Sequence, residues 1–82
     1  MTQWTITRDR FDHGAAVGTI GPSGAELTHA EIIAHPDKVM FKLYDDGGEH
    51  YYTGYMVGDS NEFAPLDDFG QPNAGCTVLK EC

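Results

Sequence analysis

The sequence predicts an α+β domain that is mostly β, with a single small antiparallel sheet of about four strands and one short helix. Three observations support this fold class. Apolar and polar residues alternate through both arms of a hairpin at 38–57, a helix signal occurs near 28–35, and glycine and proline interrupt the chain between these segments. At 82 residues the chain is expected to form a single domain, 1–82, because two separate cores need more chain than this.

The first strand is predicted at 3–11, QWTITRDRF, where β-branched and aromatic residues favour an extended backbone. Strict alternation would divide its side chains between two faces, with Trp4, Ile6 and Arg8 against Thr5, Thr7 and Asp9. The segment that follows, DHGAAVGTIGPSGA, is rich in glycine, and we expect it to break regular structure apart from a short strand within 17–20.

The helix signal lies in LTHAEIIAHPDK. Thr28 and Glu31 stand at the spacing of a capping box, and Pro36 ends the helical run. A helix this short is marginal alone, so we expect it to pack on the sheet. A strand at 31–34 remains the alternative.

A β-hairpin is predicted at 38–57, with its turn in DDGGE. We prefer a three-residue loop, 46–48, because a two-residue turn would mix apolar and polar residues on each face. The predicted core face holds Val39, Phe41, Leu43, Tyr51, Tyr55 and Val57. The opposite face, open to solvent or to a partner, holds Met40, Lys42, Tyr44, His50, Tyr52 and Met56.

The segment GDSNEFAPLDDFGQPNAG is predicted to be a long ordered loop anchored by Phe63, Leu66 and Phe69. CTVLKEC then forms a last strand beside the hairpin, with Cys76 as its first buried residue. Asp67 and Asp68 have no structural role that the sequence identifies.

Thirteen acidic residues against five lysines and arginines give a formal charge of −8. Such a chain is repelled by nucleic-acid backbones and anionic membranes, so we expect a protein partner with a basic surface and no direct binding to nucleic acid or membrane. The alternative is that the charge only keeps the protein soluble. The sequence shows no apolar segment of signal-peptide or membrane-spanning type, and two reduced thiols are expected, which together predict a cytoplasmic location.

No sequence motif predicts an enzyme, a cofactor or a metal site. DFG at 68–70 lacks the glycine-rich phosphate loop of a kinase. The loop that starts at Asp59 has Ala64 and Gly70 where a calcium-binding EF-hand loop needs glycine and glutamate. The histidine and cysteine spacings do not fit a zinc site.

Two chemical alternatives stay open. A looser calcium site would use one of two acidic groups, Asp45, Asp46 and Glu49 or Asp59, Asp67 and Asp68. A small enzyme or enzyme subunit would pair Cys76 with His50 as thiolate and base.

An acidic surface is the main candidate site, because seven of the thirteen acidic residues fall within 45–68, interleaved with aromatic residues. Carboxylates beside aromatic rings suit an arginine-rich partner. The predicted partner-binding residues are Asp45, Asp46, Glu49, Tyr52, Asp59, Glu62, Asp67 and Asp68. The alternative is that the aromatic residues form the core and the acids lie at loop tips.

Four segments, WTIT, GPSGA, FKLYDDGGEHYYTG and above all PLDDFGQPNAGCT, resemble a group of small uncharacterised bacterial and prophage proteins. The resemblance implies a small intracellular domain, sometimes associated with mobile elements, and assigns no activity or functional residue. Together with size and charge it suggests a non-enzymatic protein-binding domain. The sharpest version is a phage-type inhibitor, anti-CRISPR or anti-restriction, that occupies a nucleic-acid-binding surface of its target; a homodimer is left open.

Overall fold

A computed structural model describes residues 2–10, 13–21, 24, 26–58 and 64–81, with the backbone alone at 67–68 and 73–74. Within these ranges five strands form one antiparallel sheet in the order β2-β1-β4-β3-β5. The strands are β1 Gln3–Asp9, β2 Ile20–Gly21, β3 Val39–Tyr44, β4 His50–Val57 and β5 Val78–Glu81. The predicted fold class is confirmed, with five described strands where about four were expected and with the last strand beside the hairpin as predicted.

The helix α1, His29–Ala34, forms where the capping box predicted it. Thr28 Oγ1 accepts a hydrogen bond from the Glu31 amide at 3.2 Å, and Glu31 Oε1 accepts one from the Thr28 amide at 3.0 Å. The helix contacts β1 and β4, and a 2.5 Å hydrogen bond joins Thr5 Oγ1 to His29 Nδ1. Sheet packing therefore supports a helix that is too short to persist alone.

The hairpin has the predicted three-residue loop but not the predicted faces. Asp45 and Glu49 close the loop, and then Tyr51 is an extra residue: Tyr44 pairs with His50, whereas Leu43 pairs with Tyr52. This β-bulge shifts the rest of β4 by one position. The prediction that Tyr55 and Val57 belong to the core face was therefore wrong, whereas Tyr51, at the bulge, still packs against the core cluster. Tyr52 and Met56, which were expected to be open to solvent, are both buried at 3 % exposure.

A second bulge, at Thr7, corrects the predicted faces of β1. Ile6 pairs with Gly54, but Arg8 pairs with Thr53, so Thr7 has no partner of its own. Arg8 consequently lies on the face opposite Ile6, and not beside it as strict alternation predicted.

One face of the sheet carries the main core. It is formed by Trp4, Ile6, Phe41, Leu43, Tyr52, Met56, Ala64, Phe69 and Cys76. The Phe69 ring packs edge-on against Tyr52 with centroids 4.9 Å apart, and it also contacts Trp4 at 5.5 Å. We call this side of the sheet the core face.

The cover of the core face is more regular than the predicted loop. Leu66–Gly70 forms a π-helical turn and α2, Gln71–Ala74, continues it until Gly75 ends the helix in the left-handed conformation. Two of the predicted anchors are confirmed, since Phe69 is buried and Leu66 packs against the core. The third, Phe63, lies outside the described residues. Within the part of the chain that the structure describes, no helix is long and apolar enough to span a membrane.

Candidate functional site

The turn of the β3–β4 hairpin is built by Asp45. Its Oδ1 accepts hydrogen bonds from the amides of Gly47 and Glu49, both at 2.9 Å, while the Gly48 amide donates to Asp45 O at 3.1 Å. Gly48 has a φ of 82°, which glycine adopts without strain. These bonds explain the local sequence DDGGE: an aspartate holds the turn and a glycine closes it.

Asp46 ties the turn to Thr77, the residue that precedes the last strand. Its Oδ1 accepts a 2.5 Å hydrogen bond from Thr77 Oγ1, and the Thr77 amide donates to Tyr44 O at 3.0 Å. Glu49 completes the group and is exposed. The structure thus brings together three of the predicted partner-binding residues, Asp45, Asp46 and Glu49, which we call the acidic tip.

The charge of Asp45 is held in place by the backbone of the turn. The hydrogen bond from the Glu49 amide lowers the pKa of Asp45 and outweighs the opposing effect of partial burial; bonds from Tyr51, Gly47 and Gly48 lower it further. Asp45 therefore remains ionised at neutral pH in a fixed orientation.

The other predicted partner-binding residues have different outcomes. Tyr52 is buried between the sheet and Phe69, so it cannot contact a partner, and its inclusion was wrong because the bulge at Tyr51 turns it inwards. Asp59 and Glu62 lie outside the described residues. The backbone of Asp67 and Asp68 belongs to the π-helical turn on the core face. At the end of that turn, Gly70 lies against Leu43 and Cys76, close to the hairpin.

Cys76 and His50 are not brought together. Cys76 is fully buried in the core cluster, and burial raises the pKa of its thiol to about 11. His50 lies on the opposite face, where its Nε2 is 2.7 Å from Thr53 Oγ1 and 2.9 Å from Tyr52 O. A thiolate–imidazole pair would need both groups on one side of the sheet.

The hydrogen bonds of His50 determine its tautomer. Tyr52 O can only accept, so Nε2 carries the hydrogen and Nδ1 is left as an acceptor, 3.5 Å from Arg10 Nη1. Burial is the main cause that lowers the pKa of His50; the bond to Tyr52 O raises it in part, and Arg10, Lys42 and Arg8 lower it again. The ring is neutral at physiological pH and faces a cationic neighbourhood.

Sequence reasoning missed a cationic region on this face. The five lysines and arginines are Arg8, Arg10, Lys38, Lys42 and Lys80. Arg8, Arg10 and Lys42 line a cavity there, while Lys80 lies over the ring of Tyr44 and Lys38 over that of Tyr55. We call this side of the sheet the cationic face. The two-residue spacing of Arg8 and Arg10 indicates that both side chains lie on one face of the sheet. Which face that is depends on the bulge at Thr7, which the sequence does not predict.

Among the residues that the structure describes, no group of three or more His, Cys, Asp or Glu side chains is placed to hold a metal ion. Asp45 and Asp46, the first calcium alternative with Glu49, instead accept hydrogen bonds from the turn and from Thr77. The second alternative includes Asp59 and the side chains of Asp67 and Asp68, which lie outside the description.

No protein-family model matches the chain, and no solved structure matches it. The resemblance to small bacterial and prophage proteins therefore stays a prediction. The fold and its surfaces define a class only: a small antiparallel β-sheet domain with an acidic hairpin tip and a cationic sheet face.

Proposed function

We propose that this protein is a non-enzymatic protein-binding domain whose acidic tip binds a basic surface of another protein. The observation that carries the proposal is the placement of Asp45, Asp46 and Glu49 on one short turn. Two of the three carboxylates are held by hydrogen bonds. A preorganised acidic group loses little conformational entropy on binding, so more of its electrostatic attraction appears as affinity.

The net charge supports the same proposal at longer range. With a formal charge of −8, the chain attracts a basic partner over a distance of about one Debye length, roughly 8 Å at physiological ionic strength. This attraction raises the association rate, and the fixed tip then sets the orientation of the complex. The proposed partner-binding residues also include Asp59, Glu62, Asp67 and Asp68, which follow the hairpin in the sequence.

In its sharpest form the partner's basic surface is one that normally holds DNA or RNA. The protein would then act as a phage-type inhibitor, anti-CRISPR or anti-restriction, in the cytoplasm of a bacterial cell. A chain with this charge competes with a polyanion for the same cationic groups without binding nucleic acid itself. A homodimer is the alternative assembly.

The proposal is tested by capture from a bacterial lysate on the immobilised protein, with the bound proteins identified by mass spectrometry. We expect basic nucleic-acid-binding proteins that are released by salt and displaced by added DNA. The double variant Asp46→Asn/Glu49→Gln should lose this capture, because it removes two tip charges while leaving Asp45 to hold the turn.

A matched control removes two charges elsewhere. Glu26→Gln/Asp37→Asn changes two exposed acids on either side of α1 and should retain the capture. Equal loss in both double variants would show that only the total charge matters, which would refute the tip as the site. The variant Asp67→Asn/Asp68→Asn decides whether the π-helical turn belongs to the same surface.

A further inference from the structure

The register of the sheet aligns cations into one row across four strands. Arg8 on β1 pairs with Thr53 on β4, Thr53 pairs with Lys42 on β3, and Lys42 pairs with Lys80 on β5. Like charges placed directly opposite one another destabilise a sheet. The sequence has thirteen acids, yet none occupies this row. Only Lys42 and Lys80 are directly opposite, with Arg8 two strands from Lys42, and an anionic ligand near Arg8 and Lys42 would be attracted by both charges.

Three members of the row, Arg8, Thr53 and Lys42, line a cavity of about 580 Å³ on the cationic face. Its lining residues are Thr7, Arg8, Arg10, Met40, Lys42, His50 and Thr53. This volume falls within the range of small-molecule sites, roughly 300–1,000 Å³. Three cationic side chains from two separate parts of the chain converge on it, together with two hydroxyl groups.

His50 and Thr53 give the cavity a defined polar wall. The Nε2–H of His50 is committed to Tyr52 O and Thr53 Oγ1, which fixes the ring, and Nδ1 faces Arg10. Since Thr53 Oγ1 accepts from His50, its own hydrogen remains for donation. The neutral ring adds no charge, so the anion-binding capacity of the cavity comes from Arg8, Arg10 and Lys42.

We propose that this cavity binds the phosphate group of a small phosphorylated molecule. Arg8 and Arg10 would hold phosphate oxygens, arginine having the fork geometry that matches them, and Lys42 would supply a third positive charge. A phosphate monoester carries close to two negative charges at neutral pH, which suits three converging cations better than a single carboxylate does. Met40 would contact the organic part of the ligand.

A small ligand fits this site better than a polymer does. The acidic tip begins one residue beyond the Tyr44–His50 pair, at one end of the cationic face, and α1 packs near the other end through Thr5. A nucleic-acid strand that crossed the cavity would extend past its three cations, and the rest of its phosphates would be repelled by a protein whose formal net charge is −8. A single phosphate group meets only the cations.

The test is titration of the full chain with inorganic phosphate and with phenyl phosphate, at constant ionic strength with chloride as the reference anion. Binding is followed by amide and side-chain NMR shifts and by the melting temperature. We expect saturable shifts at Thr53, Lys42 and His50, no shift at Trp4 on the core face, and tighter binding of phenyl phosphate than of phosphate.

Charge-matched variants make the test specific. Arg8→Gln and Lys42→Gln should each weaken phenyl phosphate binding by about tenfold or more, because each removes a charge-assisted hydrogen bond. Lys38→Gln removes the same charge from the same face outside the cavity and should change binding by less than about twofold. The proposal is refuted if Lys38→Gln weakens binding as much as Lys42→Gln does. It is also refuted if phosphate changes the NMR shifts and the melting temperature no more than chloride does.

Two further ligands distinguish a small phosphorylated molecule from a lipid headgroup and from a nucleic acid. Phosphatidic acid vesicles and a short single-stranded oligonucleotide are titrated under the same conditions. We expect both to bind more weakly than phenyl phosphate. Tighter binding of either one, abolished by Lys42→Gln, would overturn the assignment to a small molecule. These outcomes are independent of the acidic tip, because Asp46→Asn/Glu49→Gln should leave phosphate binding intact.

Discussion

At the scale of single residues, Gly54 is a position in the sheet with no room for a side chain. It lies in the middle of β4 between Ile6 on β1 and Phe41 on β3. A Cβ atom there would overlap Thr5 O and would come within 2.6 Å of Phe41 Cζ. The absent side chain leaves room for the Phe41 ring beside β4.

We predict that Gly54→Ala lowers the free energy of unfolding by about 3 kcal/mol, because neither the backbone of β1 nor the buried Phe41 ring can move aside freely. Gly47→Ala is the matched control, since its Cβ would lie 3.4 Å from Asp45 Oδ1 in the exposed turn. Urea denaturation measures the free energy of unfolding of both variants. An equal loss of stability in the two would contradict the close packing at Gly54.

Burial determines the reactivity of the Cys76 thiol. Its thiol lies in the core, and a pKa of about 11 leaves only about one molecule in ten thousand as thiolate at pH 7. The thiolate is the reactive form, so a buried thiol of this kind is inert until the protein opens.

With Cys82→Ser as background, so that Cys76 is the one cysteine left, we predict native alkylation by iodoacetamide at least about a hundredfold slower than alkylation in denaturant. Mass spectrometry gives both rates. A native rate close to that of a free thiol would revive the enzymatic alternative with Cys76 as nucleophile.

At the scale of elements, the hairpin turn should give the stability of the protein a pH dependence. The folded pKa of Asp45 lies below its ordinary value of 3.8, so its carboxylate stabilises the fold above pH 3.8. As pH falls from 3.8 through the folded pKa, the folded state must take up the proton and this contribution is lost.

We predict that Asp45→Asn, which keeps an acceptor oxygen but cannot ionise, is less stable than the wild type at pH 6. The difference should shrink as pH falls below 3.8, because only the wild type loses a charge at that position. Chemical denaturation at a series of pH values measures the difference. A gap that stays constant from pH 6 to pH 2 would show that the charge of Asp45 contributes nothing to the turn.

The sequence predicts some elements better than others for physical reasons. The capping box at Thr28 and Glu31 and the DDGGE turn are local, so their hydrogen-bonding partners can be identified from spacing alone. The bulges at Thr7 and Tyr51 are not local, because each arises from cross-strand packing that leaves no mark on the alternation. Beyond those two residues, the predicted assignment of side chains to the two faces was wrong for β1 and for β4.

The helical turns at 66–74 were predicted to be a loop because of their composition. Pro65, Gly70 and Pro72 all disfavour a long helix, which is the pattern that sequence reading looks for. A π-helical turn and one α-helical turn avoid that conflict, since proline is tolerated in the first turn of a helix. The apolar side chains of Leu66 and Phe69 then hold the turns on the core.

At the scale of the whole molecule, the described residues include an acidic tip and a cationic row on different parts of the sheet. The acids at 45–49 were visible as a run, so part of the candidate site could be predicted. The cationic row could not, because it needs Arg8, Lys42 and Lys80 to meet across four strands, and Arg8 joins them only after the bulge at Thr7. A chain with a net charge of −8 can therefore still have a cavity lined by three cations.

The most direct test of the proposed function is the dissociation constant of a captured basic partner, measured against salt concentration for two charge-matched double variants. We predict that Asp46→Asn/Glu49→Gln weakens binding by about tenfold or more at low salt and flattens the salt dependence, because each lost ion pair contributes to both. Glu26→Gln/Asp37→Asn should stay within about twofold of the wild type. Equal weakening by the two variants would contradict a binding site at the acidic tip.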